Sequence, residues 1–384
     1  MEREMPNRVL FVHDLVFKCD LRGLVYGGPG LDEKYFDRFF CSGFDSVSIL
    51  SRASKIDELD PEYFKNKAIS LSNACPKNYF GLLNPYFLFK VLKDLKKSAH
   101  VVISTPSVIG SFITILCILF RTPYSVEVAG DGDAFLSKKG GWLFASILGL
   151  MMPLFVKNAQ GAAYVTNYLA SKFPNKNKVL VASNVNIDVI YRRAAITKPL
   201  LNLNEVRIGF VGGLNKRKGV DVLIMSAQKL IVEKGYKNLT FHLVGGHNDF
   251  DLSAMLKEFN IGEQVIQHGL LPKKDVFNLM QSFDLYIQPS LSEGLPRATI
   301  EAMSFGLPVV ATQLPGFQEI LKNDVLVRPG DVEAIVAAIE NFLVSVDFYN
   351  KQIDTNLKVA FGFLYETLHE KRCEYYRSFI KNEV

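Results

Sequence analysis

Ser292-Glu293-Gly294-Leu295-Pro296-Arg297-Ala298-Thr299-Ile300-Glu301-Ala302-Met303 sets two acids eight residues apart, with a glycine and a proline following the first. Eight residues are slightly more than two turns of helix. The spacing puts Glu293 at the mouth of a loop and Glu301 inside the helix that the loop starts. Upstream, Asp284-Leu-Tyr-Ile-Gln-Pro-Ser290 reads as a buried strand ending in a turn. Downstream, Gly306-Leu-Pro-Val-Val-Ala-Thr312 reads as a tight turn and the next strand. Strand, loop, helix, turn, strand is the repeating unit of a parallel α/β sheet.

The same alternation extends upstream. Strands are expected at Val206–Val211, Leu239–Val244, Val265–His268, Leu285–Gln288 and Val309–Ala311, with helices between them and an Asp331-capped helix to about Val344. The stretch from Asn184 to about Asn204 is polar and aperiodic and reads as a linker. Before it, strands near Arg8–His13, Ser46–Leu50, Ala68–Leu71, Val101–Ser104, Tyr124–Val128, Gly161–Val165 and Val179–Ala182 alternate with helices at Pro85–Lys97 and Ser107–Phe120. The fold class is therefore α/β, with two Rossmann-like domains of parallel strands over 1–184 and 205–346, and a linker over 185–204. Ligands in such sheets bind at the carboxyl ends of the strands, so both domains are expected to face a central cleft. Residues 347–384 read as aromatic-rich helices.

Composition narrows the class. The 384 residues are 48% hydrophobic and 22% charged, which favours packed cores over disorder. A net charge of +5 is too small to argue for nucleic acid and suits anionic substrates or a membrane surface. The five scattered cysteines lack a Cys-x-x-Cys pair and read as reduced thiols of a cytoplasmic protein. The first residues carry acids and do not read as a signal peptide. Two apolar runs, Val108–Phe120 and Trp142–Val156, are shorter than the roughly 20 residues of a spanning helix. They read either as buried core helices or as faces lying in a membrane interface, helped by Lys138, Lys139 and Lys157.

Three constellations carry chemistry. Val211-Gly212-Gly213-Leu214-Asn215-Lys216-Arg217-Lys218-Gly219 ends a strand in glycines and starts a helix behind a run of cations. Glycines admit a phosphate to the backbone, the helix start favours the anion, and Lys218 and Arg217 add full charge. Gly245-Gly246 ends the next strand in the same way. Serine, acid and glycine at the strand end give the Glu293 loop a bend with free backbone N–H groups, with Gly294, Leu295 and Pro296 taken as donor contacts, while Glu293 and Glu301 offer acceptors for sugar hydroxyls. Each also has a plain reading, as a solvated loop, a tight turn or a capping acid.

In order and spacing, these motifs resemble those of the retaining glycosyltransferases of family 4, strongly over Val206–Val327 and more loosely before that, where the Gly27-Gly28 loop is similar. The resemblance implies a GT-B architecture and transfer of a sugar from a nucleoside diphosphate sugar, UDP- or GDP-linked, with no metal or other cofactor. It further implies that Glu301 binds the donor ribose, Glu293 the transferred sugar and Lys218 the diphosphate, that Gly28 approaches the donor from the first domain, and that the C-terminal helices over 347–384 pack back on the first domain. The chain departs from the pattern in two places. Gly213 stands where many members have arginine, so Arg217 takes the second phosphate contact. No histidine follows Val128, so Glu127, Asp131 or Asp133 is assigned to the acceptor side. Asp131-Gly-Asp133 spells a metal-binding Asp-x-Asp but belongs to a different architecture, so it is read as a loop. His13 is read equally as a cleft residue or a core-edge residue. Trp142, Phe39-Phe40 and Tyr375-Tyr376 are read as packing.

The expected acceptor is a glycan or a lipid-linked oligosaccharide of bacterial cell-surface polysaccharide assembly, met by a cytoplasmic protein with peripheral contact at the inner membrane. The rival readings are a nucleotide-sugar epimerase of the same fold and a sugar-nucleotide-binding module without turnover.

Overall fold

The computed structural model describes residues 7–27, 31–56, 63–130, 142–246 and 249–380. Its first elements are β1 (Arg8–Cys19), β2 (Val25–Tyr26), α1 (Glu33–Phe40), β3 (Ser46–Lys55), β4 (Ile69–Leu71), α2 (Pro85–Lys97), β5 (His100–Thr105) and α3 (Val108–Leu119). Then come β6 (Tyr124–Val128), α4 (Trp142–Asn158), β7 (Gly161–Tyr164), α5 (Asn167–Lys172) and β8 (Lys178–Val181). A second series follows with β9 (Val206–Val211), α6 (Val220–Gln228), β10 (Leu239–Val244), α7 (Leu252–Glu258), β11 (Val265–Gly269), α8 (Lys273–Gln281), β12 (Leu285–Gln288) and α9 (Arg297–Ser304). The chain ends with β13 (Val309–Thr312), α10 (Pro315–Gln318), β14 (Leu326–Val327), α11 (Val332–Val344), α12 (Val346–Phe361) and α13 (Tyr365–Arg377). It divides into unit 1, Met1–Asn184 with Glu366–Val384, and unit 2, Val185–Tyr365.

In unit 1 the strand order is β4-β3-β1-β5-β6-β7-β8, paired in parallel, with β2 antiparallel on β1. β5 is buried at every position, because helices cover both faces of the sheet. One face packs under α2, α3 and α4, and the other under α1 and α13. β1 runs beyond the expected strand, with a shift in register between Val12 and Val16. The shift includes Asp14, a buried carboxylate that caps α3 by accepting from Val108 N (2.7 Å), Ile109 N (2.9 Å) and Ser107 Oγ (2.9 Å).

α13 closes the second face of unit 1. Cys373 on α13 is joined to Cys41, just after α1, by a disulfide, which corrects the reading of all five cysteines as reduced thiols. Spacing could not reveal a pair separated by 332 residues. Phe39 and Tyr376 pack edge to face at 4.8 Å, so both serve as packing residues. His100 is buried beneath Phe379, with ring centroids 4.4 Å apart, and burial pushes its imidazole down to about 3. The stretch expected to return as one piece is divided. α12 belongs to unit 2, where it packs on α9, and only the chain from Glu366 onward belongs to unit 1.

Unit 2 has the parallel order β11-β10-β9-β12-β13-β14 around one apolar core. The expected linker is mostly irregular, but it is anchored on this unit. Tyr191 N donates to Ser304 O (2.8 Å), the Tyr191 ring stacks on Phe305 at 4.4 Å, and Arg193 Nη2 donates to Phe283 O (2.7 Å). Its irregular backbone finds its partners in the sheet domain it precedes.

Candidate active site

Three neighbouring strands of unit 2, in the order β10-β9-β12, send their loops to the same carboxyl edge. The loop after β9 turns sharply. The Asn215 side chain accepts from Lys218 N (3.0 Å), and Gly219 takes φ +70° before α6 begins. A Cβ on Gly219 would lie 1.9 Å from Pro289 O, so only glycine lets this loop lie against the one after β12. The two loops are joined by Leu291 N donating to Arg217 O (2.9 Å) and Arg217 Nη1 donating to Ser292 O (3.2 Å).

This contact brings together residues 75 apart in sequence. Lys218 Nζ donates to both Glu293 oxygens, at 2.6 and 2.7 Å. Their side chains are only 17% and 11% exposed, whereas Arg217, 3.8 Å from the same carboxylate, is 59% exposed. A charge-assisted pair in a half-buried setting fixes both groups, while Arg217 remains turned toward solvent. Glu301 stands on α9 in the following turns. Its carboxylate has no hydrogen-bond or ion-pair partner among the described residues. Burial pushes its carboxyl up, opposed by the charges of Lys273 and Arg297.

The backbone positions divide into two groups. Gly294 is exposed with open space on its Cα, while Leu295 packs on the core and Pro296 leads into α9. Gly212 and Gly213 lie half-buried at the end of β9. At Gly245 a Cβ would lie 1.9 Å from Gly212 O, so glycine there lets the loop after β10 lie against the one after β9.

In unit 1, Glu127 departs from its expected acceptor role. It is buried, accepts from the Tyr35 and Tyr376 hydroxyls, and takes Arg38 Nη1 at 3.2 Å. Its partners come from α1 and α13, so the carboxylate ties two helices to β6. Gly28, Asp131 and Asp133, and the Trp142 side chain, lie outside the described residues.

Sequence reading missed the support beneath the Glu293 loop. Tyr286 OH donates to Gln288 Oε1 (2.7 Å), Gln288 Nε2 donates to Ser290 Oγ (3.2 Å), and Thr312 Oγ1 donates to Ser290 O (2.6 Å). All four residues are buried. Tyr286 and Gln288, two apart on a strand, share one face, and a polar residue there is the signal that could have found the ladder. Gly316 was also missed. Its Cα lies so close to Gly294 O that a Cβ would come within 1.7 Å, so the α10 turn holds the Glu293 loop from behind.

The family model for glycosyl transferases group 1 matches residues 191–358. Protein CapJ of Staphylococcus aureus is 31% identical over 385 residues, covering 95% of this chain and 94% of CapJ. The chain belongs to the glycosyl transferases group 1 family. The capsular polysaccharide biosynthesis glycosyltransferase CapM of Staphylococcus aureus is 30% identical over 191 residues, covering 47% of this chain and 48% of CapM. Among solved structures, Anabaena HepE in complex with UDP superposes with a TM-score of 0.66 at 18% identity, over 96% of this chain and 98% of HepE. The fold is GT-B, and the protein is a glycosyltransferase. The epimerase reading finds no support in these relatives.

Proposed function

We propose that this glycosyltransferase moves a hexosyl group, with retention, from a UDP- or GDP-sugar to a hydroxyl of a glycan or lipid-linked acceptor in bacterial cell-surface polysaccharide assembly. The observation that carries the donor site is the Lys218–Glu293 pair at 2.6 and 2.7 Å beside the unpartnered Glu301. Lys218, held in place by Glu293, and the exposed Arg217 meet the donor diphosphate. Glu293 accepts from hydroxyls of the transferred sugar, and Glu301 from the ribose diol. Gly212, Gly213 and the N–H groups around Gly294 let the backbone approach.

In the reaction the bond from the anomeric carbon to the diphosphate oxygen breaks. The acceptor oxygen forms its bond on the same face, and the acceptor proton passes to the departing diphosphate. Charge grows on the leaving group, where Lys218 and Arg217 stabilise it. Positioning and electrostatics suffice for this route, which needs no covalent nucleophile. Transfer names on relatives, capsule assembly in CapM and UDP bound in HepE support the pathway and the donor class. The same reading puts the enzyme in the cytoplasm, in peripheral contact with the inner membrane surface where a lipid-linked acceptor resides.

The test is binding and slow hydrolysis of UDP-, GDP-, ADP- and dTDP-sugars by wild type, Glu293→Gln and Glu301→Gln. One UDP- or GDP-sugar bound and cleaved, with both substitutions impairing it, is the expected result. Binding that never leads to turnover across a broad acceptor panel would instead indicate a binding module.

A further inference from the structure

The helical layer on one face of unit 1 leaves its outer surface apolar. The short turn Tyr79–Leu83 exposes Phe80 (83%) and Leu83 (81%), and α2 continues with Tyr86 and Phe89. α3, which packs against both that turn and α4, exposes Leu119 and, at its C-cap, Phe120. On α4, Ile147, Leu150 and Leu154 form one stripe at helical spacing, and Leu148, Met152 and Phe155 bury the opposite side. Exposed apolar side chains gathered on neighbouring helices of one layer mark an interaction surface.

The charges around it have one sign. Across 77–126 and 146–160 the single acid is Asp94, which is buried and paired with Arg8 at 3.1 Å. Lys93, Lys96 and Lys97 on α2, Lys157 on α4 and Arg121 just after α3 are exposed. Lys90 lies over the Tyr86 ring at 4.3 Å. A second copy of this chain would bring cation against cation. A helix crossing the bilayer is ruled out for the described residues, since none is long and apolar enough.

We infer that the outer face formed by the Tyr79–Leu83 turn, α2, α3 and α4 docks on an anionic phospholipid surface. The aromatic and leucine side chains enter the headgroup boundary and the lysines pair with lipid phosphates. This deepens the membrane contact proposed above and rests on it. It does not depend on which donor the enzyme uses.

The test uses the full chain and co-sedimentation with vesicles of phosphatidylglycerol and phosphatidylethanolamine, against pure phosphatidylcholine, with donor hydrolysis measured in parallel. One variant carries Lys93→Glu, Lys96→Glu and Lys97→Glu; a second carries Leu150→Ser and Leu154→Ser. Wild type should partition to anionic vesicles and stay free of phosphatidylcholine. Each variant should lose about tenfold or more in partition, and 0.5 M salt should do the same to wild type. Donor hydrolysis should be unchanged, since both variants lie outside unit 2. Absence of vesicle binding in protein that still hydrolyses donor overturns the docking surface and leaves the donor reading standing. Equal binding to both vesicle types overturns the selection for anionic lipid. A self-association in light scattering that the Leu150→Ser, Leu154→Ser variant abolishes, without vesicle binding, assigns the face to a second copy and likewise overturns the inference.

Discussion

At the scale of residues, the roles proposed for the Lys218–Glu293 pair and for Glu301 can be tested separately. Lys218 is the cation held at the loop junction, by both oxygens of one carboxylate. Lys218→Met should therefore lower kcat by about 10²- to 10³-fold, as loss of one transition-state donor does. Lys218→Arg should recover only part of this, because the longer, planar guanidinium spreads its charge and displaces it from the position Nζ holds. Steady-state rates for the three proteins decide it, and an unchanged kcat in Lys218→Met would remove the lysine from the mechanism. Glu301 gives a pH signature. Burial raises its carboxyl, so it takes up a proton at a higher pH than a free glutamate, whose usual value is 4.5. Below that point the charged acceptor for the ribose diol is lost, and donor KM should rise on the acid side. Glu301→Gln should raise KM at neutral pH and flatten the acid limb, which a KM–pH profile of both proteins would display.

The sequence singled these side chains out from two separate local motifs, the loop after β9 and the loop and helix after β12. Their pairing was not legible, since Lys218 and Glu293 lie on different loops. The same holds for Glu127. Its position at the end of a strand suggested a ligand contact, and only the fold shows Tyr35, Arg38 and Tyr376 enclosing it.

At the scale of elements, periodicity served well where a strand or helix is covered in the regular way. β9, β10, β12, β6 and α2 have the expected bounds. β1 was expected to end at His13, with a loop following. In the structure the strand continues through a shift in register that points Asp14 at the start of α3. The last helices show the same limit. Their aromatic content was visible, but α12 packs on α9 and α13 on the opposite unit's sheet face. The Cys41–Cys373 bridge fastens α13 to α1 across 332 residues, and a bridge closing so long a loop constrains the unfolded chain strongly. Cys41→Ser should cost about 2–4 kcal/mol in the denaturation of unit 1. Dithiothreitol should shift wild type by a similar amount and leave the variant unmoved. Identical curves for oxidised and reduced wild type would show that the bridge contributes nothing.

At the scale of the whole molecule, every described residue assigned to the donor lies in the continuous segment Val185–Tyr365. Expressed alone, this segment should unfold cooperatively, and a UDP- or GDP-sugar should raise its Tm in proportion to the logarithm of concentration. A folded segment with no such shift would mean that donor affinity depends on unit 1.

The sequence by itself determined the α/β class and the two parallel sheets, and it singled out the side chains proposed for the donor. Those follow from local patterns, the strand period, glycine at turns and acids at fixed spacing, which act over a few residues. The tertiary structure alone decided that Lys218 meets Glu293, that Gly219 and Gly316 let loops lie backbone to backbone, that Glu127 is a buried brace, and that Cys41 finds Cys373. It also left apolar side chains of α3 and α4 exposed, where the sequence allowed buried or interfacial helices alike. Each of these is a contact, or its absence, between segments far apart in the chain, and no local pattern encodes which distant surfaces the packed core brings together.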